Sequence, residues 1–392
     1  MGRIIVDVQS QDPSGLKSTI TEDARTHSIY VRSDGVANAR MPGDAWLCAA
    51  LLPAMRLRAA LELNSVVSET VMSGCQDIQR TLSQWEWDLD VIPIKAESIT
   101  SGNSGRAGGV GCFFSGGVDS SWSAIRRPDI THLITVLGFD ISLDSKWLAE
   151  RVIHQHQKAA GELGKELIVV ETNLREWSNG HVGWEQYHGG ALACIAHALS
   201  GTVGRVYVPS SHYMDYRIKW GSHPFIDPLW SSEALQIVHD GATYTRVEKI
   251  IALARDQRAL GWLRVCFENP GDAYNCGRCG KCTRAMIVLH ALGVLGECPT
   301  LPNELDTERV AGLRLTHADT LDVSKLILSF LEETGSDPEV KRALRTAVRR
   351  GDRWFRLLPL RRRGYYAKRR LRQVGSRMNR LLGESNDRER QP

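Results

Sequence analysis

The chain has 392 residues, of which 42% are hydrophobic, and its 11 Trp, 9 Tyr and 7 Phe supply enough buriable surface to exclude disorder throughout. Its formal charge of +4 conceals a split: residues 1–340 carry 31 basic and 41 acidic side chains, whereas residues 341–380 carry 16 basic ones and a single acid, Asp352. No apolar run reaches the roughly 18–20 residues of a membrane span, and the N-terminal MGRIIVDVQSQD lacks a signal core, so a cytoplasmic protein with mostly reduced cysteines is expected.

Taken in order, Arg3–Val8 and Ser28–Arg32 alternate as strands. Asp44–Leu61 reads as a helix, Leu63–Val67 as a strand, Gln76–Trp85 as a helix and Asp90–Ile94 as a strand. This predicts a small α+β accessory domain over residues 1–100. The Gly/Ser-rich SGNSGRAGG of 101–109 then reads as a linker.

From residue 110 strands and helices alternate. Strands are expected at Val110–Phe114, Leu133–Phe139, Glu166–Val170, Val206–Pro209 and Trp262–Phe267. Between them lie helices at Asp144–Leu163, where Leu148, Val152, Ala159 and Leu163 share a face, at Gly190–Leu199 and at Thr245–Leu260. That alternation predicts an α/β domain over 110–300, a parallel sheet with helices on both faces. A helical extension follows at 301–340, then a basic helical tail at 341–392 with breaks near Gly351 and Pro359.

Ser115-Gly116-Gly117-Val118-Asp119-Ser120 joins the strand Val110–Phe114 to a helix containing Trp122, Ala124 and Ile125. Two glycines let backbone approach an anion, and the helix N-terminus behind them points N–H groups and the positive dipole end at it. Ser115, Ser120 and Ser121 can add hydroxyl donors. Asp119 would repel a bare phosphate, so its expected task is to cap the helix or to hold Mg²⁺. Further on, Cys276-x-x-Cys279-x-x-Cys282 lies ten residues after Cys266. Four thiolates so spaced can close a tetrahedral Zn²⁺ site, and soft sulfur suits an iron–sulfur cluster as well.

The SGGVDS loop after an apolar strand resembles the pyrophosphate loop of the PP-loop (N-type) ATP pyrophosphatases, adenine-nucleotide alpha-hydrolase-like enzymes that split ATP between its α and β phosphates. Together with Val118 and the later cysteines, it resembles their cyano-deazaguanine synthase branch. The resemblance covers about residues 110–290. It implies ATP and Mg²⁺ as cofactors, with Ser115, Gly116, Gly117, Asp119, Ser120 and Ser121 on the phosphates and Asp140 near the nucleotide. It also implies structural zinc on Cys266, Cys276, Cys279 and Cys282. Thr245-Arg246-Val247-Glu248 is similar to that branch's Thr-Lys-x-Glu segment, which makes Arg246 a catalytic residue beside Asp119 and Ser120.

The second substrate is less legible. Ser211, His212, Asp215 and Arg217 follow the strand Val206–Pro209, where open α/β sheets bind ligands. The reaction expected is carbon–nitrogen ligation: an oxygen of a small molecule is adenylated and a nitrogen nucleophile displaces AMP. Residue 2 is Gly and no glutaminase elbow is present, so the nitrogen comes as ammonia, from a partner protein or on an amine. The alternatives are sulfur insertion into tRNA, with a sulfur-supplying partner, and a non-catalytic zinc-containing RNA-binding module. A homodimer is compatible with all three. For the basic tail, RNA, an anionic membrane surface and the protein's own acidic body remain open as partners.

Overall fold

The computed structural model describes residues 2–9, 14–33, 38–85, 87–101, 105–213 and 219–358. Two compact units emerge, one from Met1 to Leu305 and one beginning at Asp306.

The first unit opens with three antiparallel strands, β1 (Arg3–Val8), β2 (Gly15–Glu22) and β3 (Arg25–Arg32), whose inward residues Ile4, Val6, Leu16, Ile20, Ile29 and Val31 are buried. Helix α1 (Pro42–Leu57) starts with Pro at its first position, where the missing N–H costs nothing, and is buried from Gly43 to Met55. It leads to β4 (Ala60–Ser68), α2 (Glu69–Ser83) and β5 (Ile94–Thr100). Ser68 caps α2 by accepting from Val71 N–H at 3.1 Å.

Next come β6 (Gly109–Phe113), α3 (Val118–Arg126), β7 (His132–Leu137), α4 (Lys146–Leu163) and β8 (Glu166–Thr172). Helices α5 (Leu174–Ser178) and α6 (Trp184–Ala198) precede β9 (Val203–Pro209) and β10 (Gln236–Asp240). Three helices close the unit: α7 (Arg246–Ala254), α8 (Gln257–Trp262) and α9 (Gly280–Ala291).

All ten strands form one sheet in the order β10-β9-β6-β7-β8-β3-β2-β1-β4-β5. The α/β class expected from the sequence holds, with a sheet that is mixed. The neighbours β10-β9, β9-β6, β6-β7, β7-β8, β1-β4 and β4-β5 are parallel, while the pairs joining β8, β3, β2 and β1 are antiparallel. Residues 1–100 and 110–300, read from the sequence as separate domains, therefore share a sheet. They also share a core: Tyr187 of α6 donates to the Ala49 carbonyl of α1 at 2.9 Å, and a Cβ on Gly190 would stand 3.0 Å from the Cys48 carbonyl oxygen.

Several elements differ from expectation. Thr245–Leu260 divides into α7 and α8, because Asp256 caps a new start by accepting from Arg258 N–H. Strand β5 begins at Ile94, where the expected strand Asp90–Ile94 ends. Trp262–Phe267 is not a strand. The N–H of Arg264 donates to the Gly116 carbonyl, and those of Val265 and Cys266 donate to Asn275 Oδ1, so this segment pairs with a loop and a side chain instead of a ladder.

The second unit contains α10 (Thr307–Gly312), α11 (Ala318–Glu333) and a helix over 338–358 that runs unbroken through Gly351. Gly351 is a packing residue: a Cβ there would meet Leu321 Cδ1 at 2.9 Å and Leu315 Cβ at 3.0 Å. Among the described residues, no helix is long and apolar enough to cross a membrane. Most of the expected basic tail, including Pro359, lies outside the described residues.

Candidate anion-binding and metal sites

Strand β6 runs to β7 and β8 on one side, and only later does the chain return to place β9 on the other. The sheet thus has a topological switch point between β6 and β9, and a crevice opens beyond the carboxyl ends of strands at such a point. Here the crevice is a cavity of about 210 Å³. Ser115, Gly117, Asp119 and Ser120 line its wall, and Asp140 and Ser211 from the ends of β7 and β9 line it too. The sequence placed all six at a ligand site, and all six line this one cavity.

The loop is held open by its own hydroxyls. Ser120 Oγ accepts from Ser115 N–H at 3.2 Å, lies 3.3 Å from Ser115 Oγ and reaches the Gly117 carbonyl at 3.2 Å. Gly117 is the N-cap of α3 with no side-chain cap, so the first N–H groups of that helix face the loop. Gly116 has φ +70°, and a Cβ there would be 2.7 Å from His156 Nε2. Both facts require glycine. Ser121 does a different job from its neighbours. It is fully buried and accepts from Trp262 Nε1 at 3.2 Å, tying α3 to α8.

Asp119 does not cap α3. Its carboxylate is clamped by Arg246 Nη2 at 2.8 Å and Lys249 Nζ at 3.1 Å. Burial works to raise its pKa, but the charges of Arg246 and Lys249 together outweigh that and hold the carboxyl below its usual range. Lys249 is 2% exposed, donates also to the Ser210 carbonyl at 2.7 Å and sits over the Trp122 ring. Arg246 reaches the Ser211 carbonyl at 3.3 Å. The Thr245-x-x-Glu248 spacing is a capping box, with Thr245 accepting from Glu248 N–H and Glu248 accepting from Thr245 N–H at 2.7 Å. That box fixes the first turn of α7 and so aims Arg246 and Lys249 at Asp119.

Two cavity residues were not visible as such in the sequence. Arg264 is 4% exposed; its Nη2 donates to Asn269 Oδ1 at 3.2 Å while its Nε has no hydrogen-bond partner among the described residues. His156 is fully buried, and burial reinforced by the Arg264 charge pushes its imidazole down to about 3. Thr135 Oγ1 lies 3.1 Å from the Phe114 carbonyl and 2.7 Å from His156 Nδ1, which fixes the ring. His156 Nε2 abuts Gly116, so the imidazole supports the loop from behind. A signal existed for His156, which fills the gap in the Leu148, Val152, Ala159 face of α4, and for the buried Lys249 outside the cavity, one turn after Arg246 on α7; Arg264 carried none.

The cavity is also lined by aromatic rings, Trp184, His188 and Trp220, and by Ser222. His212 is not a lining residue; its ring packs edge-on against Trp220 at 4.8 Å. Asp140 pairs with Arg175 at 3.6 Å. Asp215 and Arg217, the other two expected substrate contacts, lie outside the described residues.

The four cysteines do converge. The sulfurs of Cys266, Cys276, Cys279 and Cys282 lie within 4.8 Å of one another, with Cys276–Cys282 and Cys266–Cys279 at 3.9 Å. Zinc–sulfur bonds of about 2.3 Å give tetrahedral edges of about 3.8 Å, so the set fits one ion such as zinc. A cluster of several irons would hold its thiolates further apart, each on its own metal. Backbone N–H groups of Asn269, Cys279 and Cys282 point at three of the sulfurs at 3.2–3.4 Å, which stabilises thiolate charge. Gly277, at φ +67°, turns beneath Pro302, which a Cβ would strike at 2.4 Å. The knuckle abuts the glycine loop directly, since Arg264, two residues before Cys266, donates its N–H to the Gly116 carbonyl at 2.7 Å. Comparison with protein-family models, with curated proteins and with solved structures finds no match to this chain.

Proposed function

We propose that this chain is an ATP-dependent ligase or synthase of the PP-loop ATP pyrophosphatase type, which forms AMP and pyrophosphate while joining a nitrogen nucleophile to an adenylated small molecule. One observation carries the reading. A glycine loop at a helix N-terminus shares its cavity with a buried guanidinium, Arg264, whose Nε has no partner among the described residues. A buried, incompletely hydrogen-bonded cation beside converging N–H groups is favourable when an anion completes it.

In this reading the N–H groups of Gly117 and the first turn of α3, with Ser115 and Ser120, hold the pyrophosphate part of ATP. Arg246 and Lys249, tethered by Asp119, and Arg264 opposite the charge that develops as pyrophosphate leaves, stabilise it electrostatically. Mg²⁺, when bound, neutralises phosphate charge; with both Asp119 oxygens engaged by cations, that carboxylate acts first by holding Arg246 and Lys249 in place. Zinc on the four cysteines fixes the segment carrying Arg264. The aromatic lining of Trp184, His188 and Trp220 takes the second substrate. Nitrogen is preferred to sulfur because Cys112, near the loop, is fully buried and burial pushes its thiol far up, which makes it inert.

Incubation with ATP, Mg²⁺ and candidate acceptors should release AMP and pyrophosphate in equal amounts. Release of ADP and phosphate, or turnover unaffected by Arg264→Gln, would overturn the reading.

A further inference from the structure

The helix over 338–358 in the second unit divides its charges into two groups. Val340, Leu344, Ala347, Val348 and Gly351 form its buried face. On the flanks of that face the charges are used by the fold. Arg345 pairs with Glu332 at 2.6 Å, Asp352 pairs with Lys325 at 2.8 Å, and Arg350 Nη2 donates to the Ala311 and Leu313 carbonyls.

The outward ridge is different. Arg342, Arg349, Arg353 and Arg356 are exposed, and among the described residues none of the four has an ion pair or hydrogen-bonded side chain. At about 100° per residue they fall within an arc of about 60°, and at about 1.5 Å per residue they span about 21 Å. No acid interrupts this stripe. Four like charges so placed repel one another, which a fold tolerates on its surface but gains nothing from.

We infer that this arginine stripe is a docking surface for the phosphate backbone of a nucleic-acid duplex. A straight, rigid row of guanidiniums matches a rigid row of phosphates, and each fork suits phosphate oxygens. The helix cannot enter a groove deeply, because half of its circumference is packed on its own unit. Only Thr346 and Arg345, whose guanidinium is held by Glu332, border the ridge this closely, so the stripe reads charge and not sequence, and DNA and RNA duplexes are bound alike. An anionic membrane is a poorer fit. Interfacial helices insert an apolar face, and here the apolar face is occupied. The inference does not depend on the ATP reading, since it concerns the other unit.

The test uses the full chain and a 20-base-pair DNA duplex of arbitrary sequence, followed by fluorescence anisotropy between 50 and 200 mM salt. Four phosphate contacts give a log–log salt slope of about −3.6, so the stripe's share of the affinity falls by about two orders of magnitude over that range. The variant combining Arg342→Gln, Arg349→Gln, Arg353→Gln and Arg356→Gln, with residues 359–392 untouched, should lose at least about 100-fold at 50 mM salt and about three units of slope. Arg349→Gln alone should lose about one unit. An unchanged slope in the fourfold variant would overturn the inference, as would absent duplex binding at 50 mM salt. So would tighter binding of the wild type to phosphatidylserine vesicles than to the duplex. All replaced side chains are exposed, and a melting temperature within a few degrees of wild type shows that lost binding is not lost folding.

Discussion

Two buried carboxyl groups illustrate opposite uses of burial. Asp119 is charged because Lys249 and Arg246 hold it so, and the triad is stable only as a set. Asp119→Asn strands the Lys249 ammonium, 2% exposed, and should cost about 3–5 kcal/mol in urea unfolding. Adding Lys249→Met should recover most of that loss, because no unpaired charge remains. Asp44 has no cation; burial raises its carboxyl to about 7 even though it accepts from Ser68 N–H at 2.7 Å. A folded pKa above the unfolded value near 3.8 means that the native state binds the extra proton, so Asp44 favours folding below about pH 4. That contribution is lost as the pH rises through about 7. The melting temperature of the wild type should therefore decline between pH 5 and 8 by an increment that Asp44→Asn removes.

At the level of elements, the segments whose partners are their own neighbours in sequence were legible, and those finished by distant groups were not. The strand, SGGVDS loop and helix could be placed because glycine, serine and helix start are all local, and the proposed ATP site gives a sharp test. Gly116→Ala must abandon φ +70° and push His156, so ATP binding measured calorimetrically should weaken at least about 10-fold with little change in cysteine-bound metal. By contrast, Trp262–Phe267 has the apolar composition of a strand, yet its N–H groups go to Asn275 and Gly116, choices no local pattern reveals. β10 was missed because QIVHD ends in His239 and Asp240, and Asp240 is buried through its pair with Arg127 at 2.6 Å and the Ser123 hydroxyl at 2.7 Å. β2 was missed because buried Ser18 interrupts its apolar face, satisfied by the Asp7 carbonyl across the ladder. Gly351 looked like a break because glycine's low helix propensity is visible in sequence and the leucines that need its small size are not.

The same locality explains why residues 1–100 looked like a separate domain. The Gly/Ser stretch at 101–109 marks a change of composition, but the contacts that join α1 to α6 lie some 140 residues apart in sequence, as in the Tyr187–Ala49 hydrogen bond. Those contacts carry function as well as stability in our reading, because α6 also presents Trp184 and His188 to the cavity. The core that α1 and α6 share should open as one. In hydrogen-exchange mass spectrometry at rising urea, peptides from α1 and α6 are expected to lose protection at a common midpoint. Gly190→Val, which drives side-chain atoms against the Cys48 carbonyl, should lower both midpoints together by a few kcal/mol in stability. If α1 instead opened well below the midpoint of α6, the N-terminal residues would be an accessory domain after all. The shared sheet would then be a contact surface between two folding units and not the frame of one.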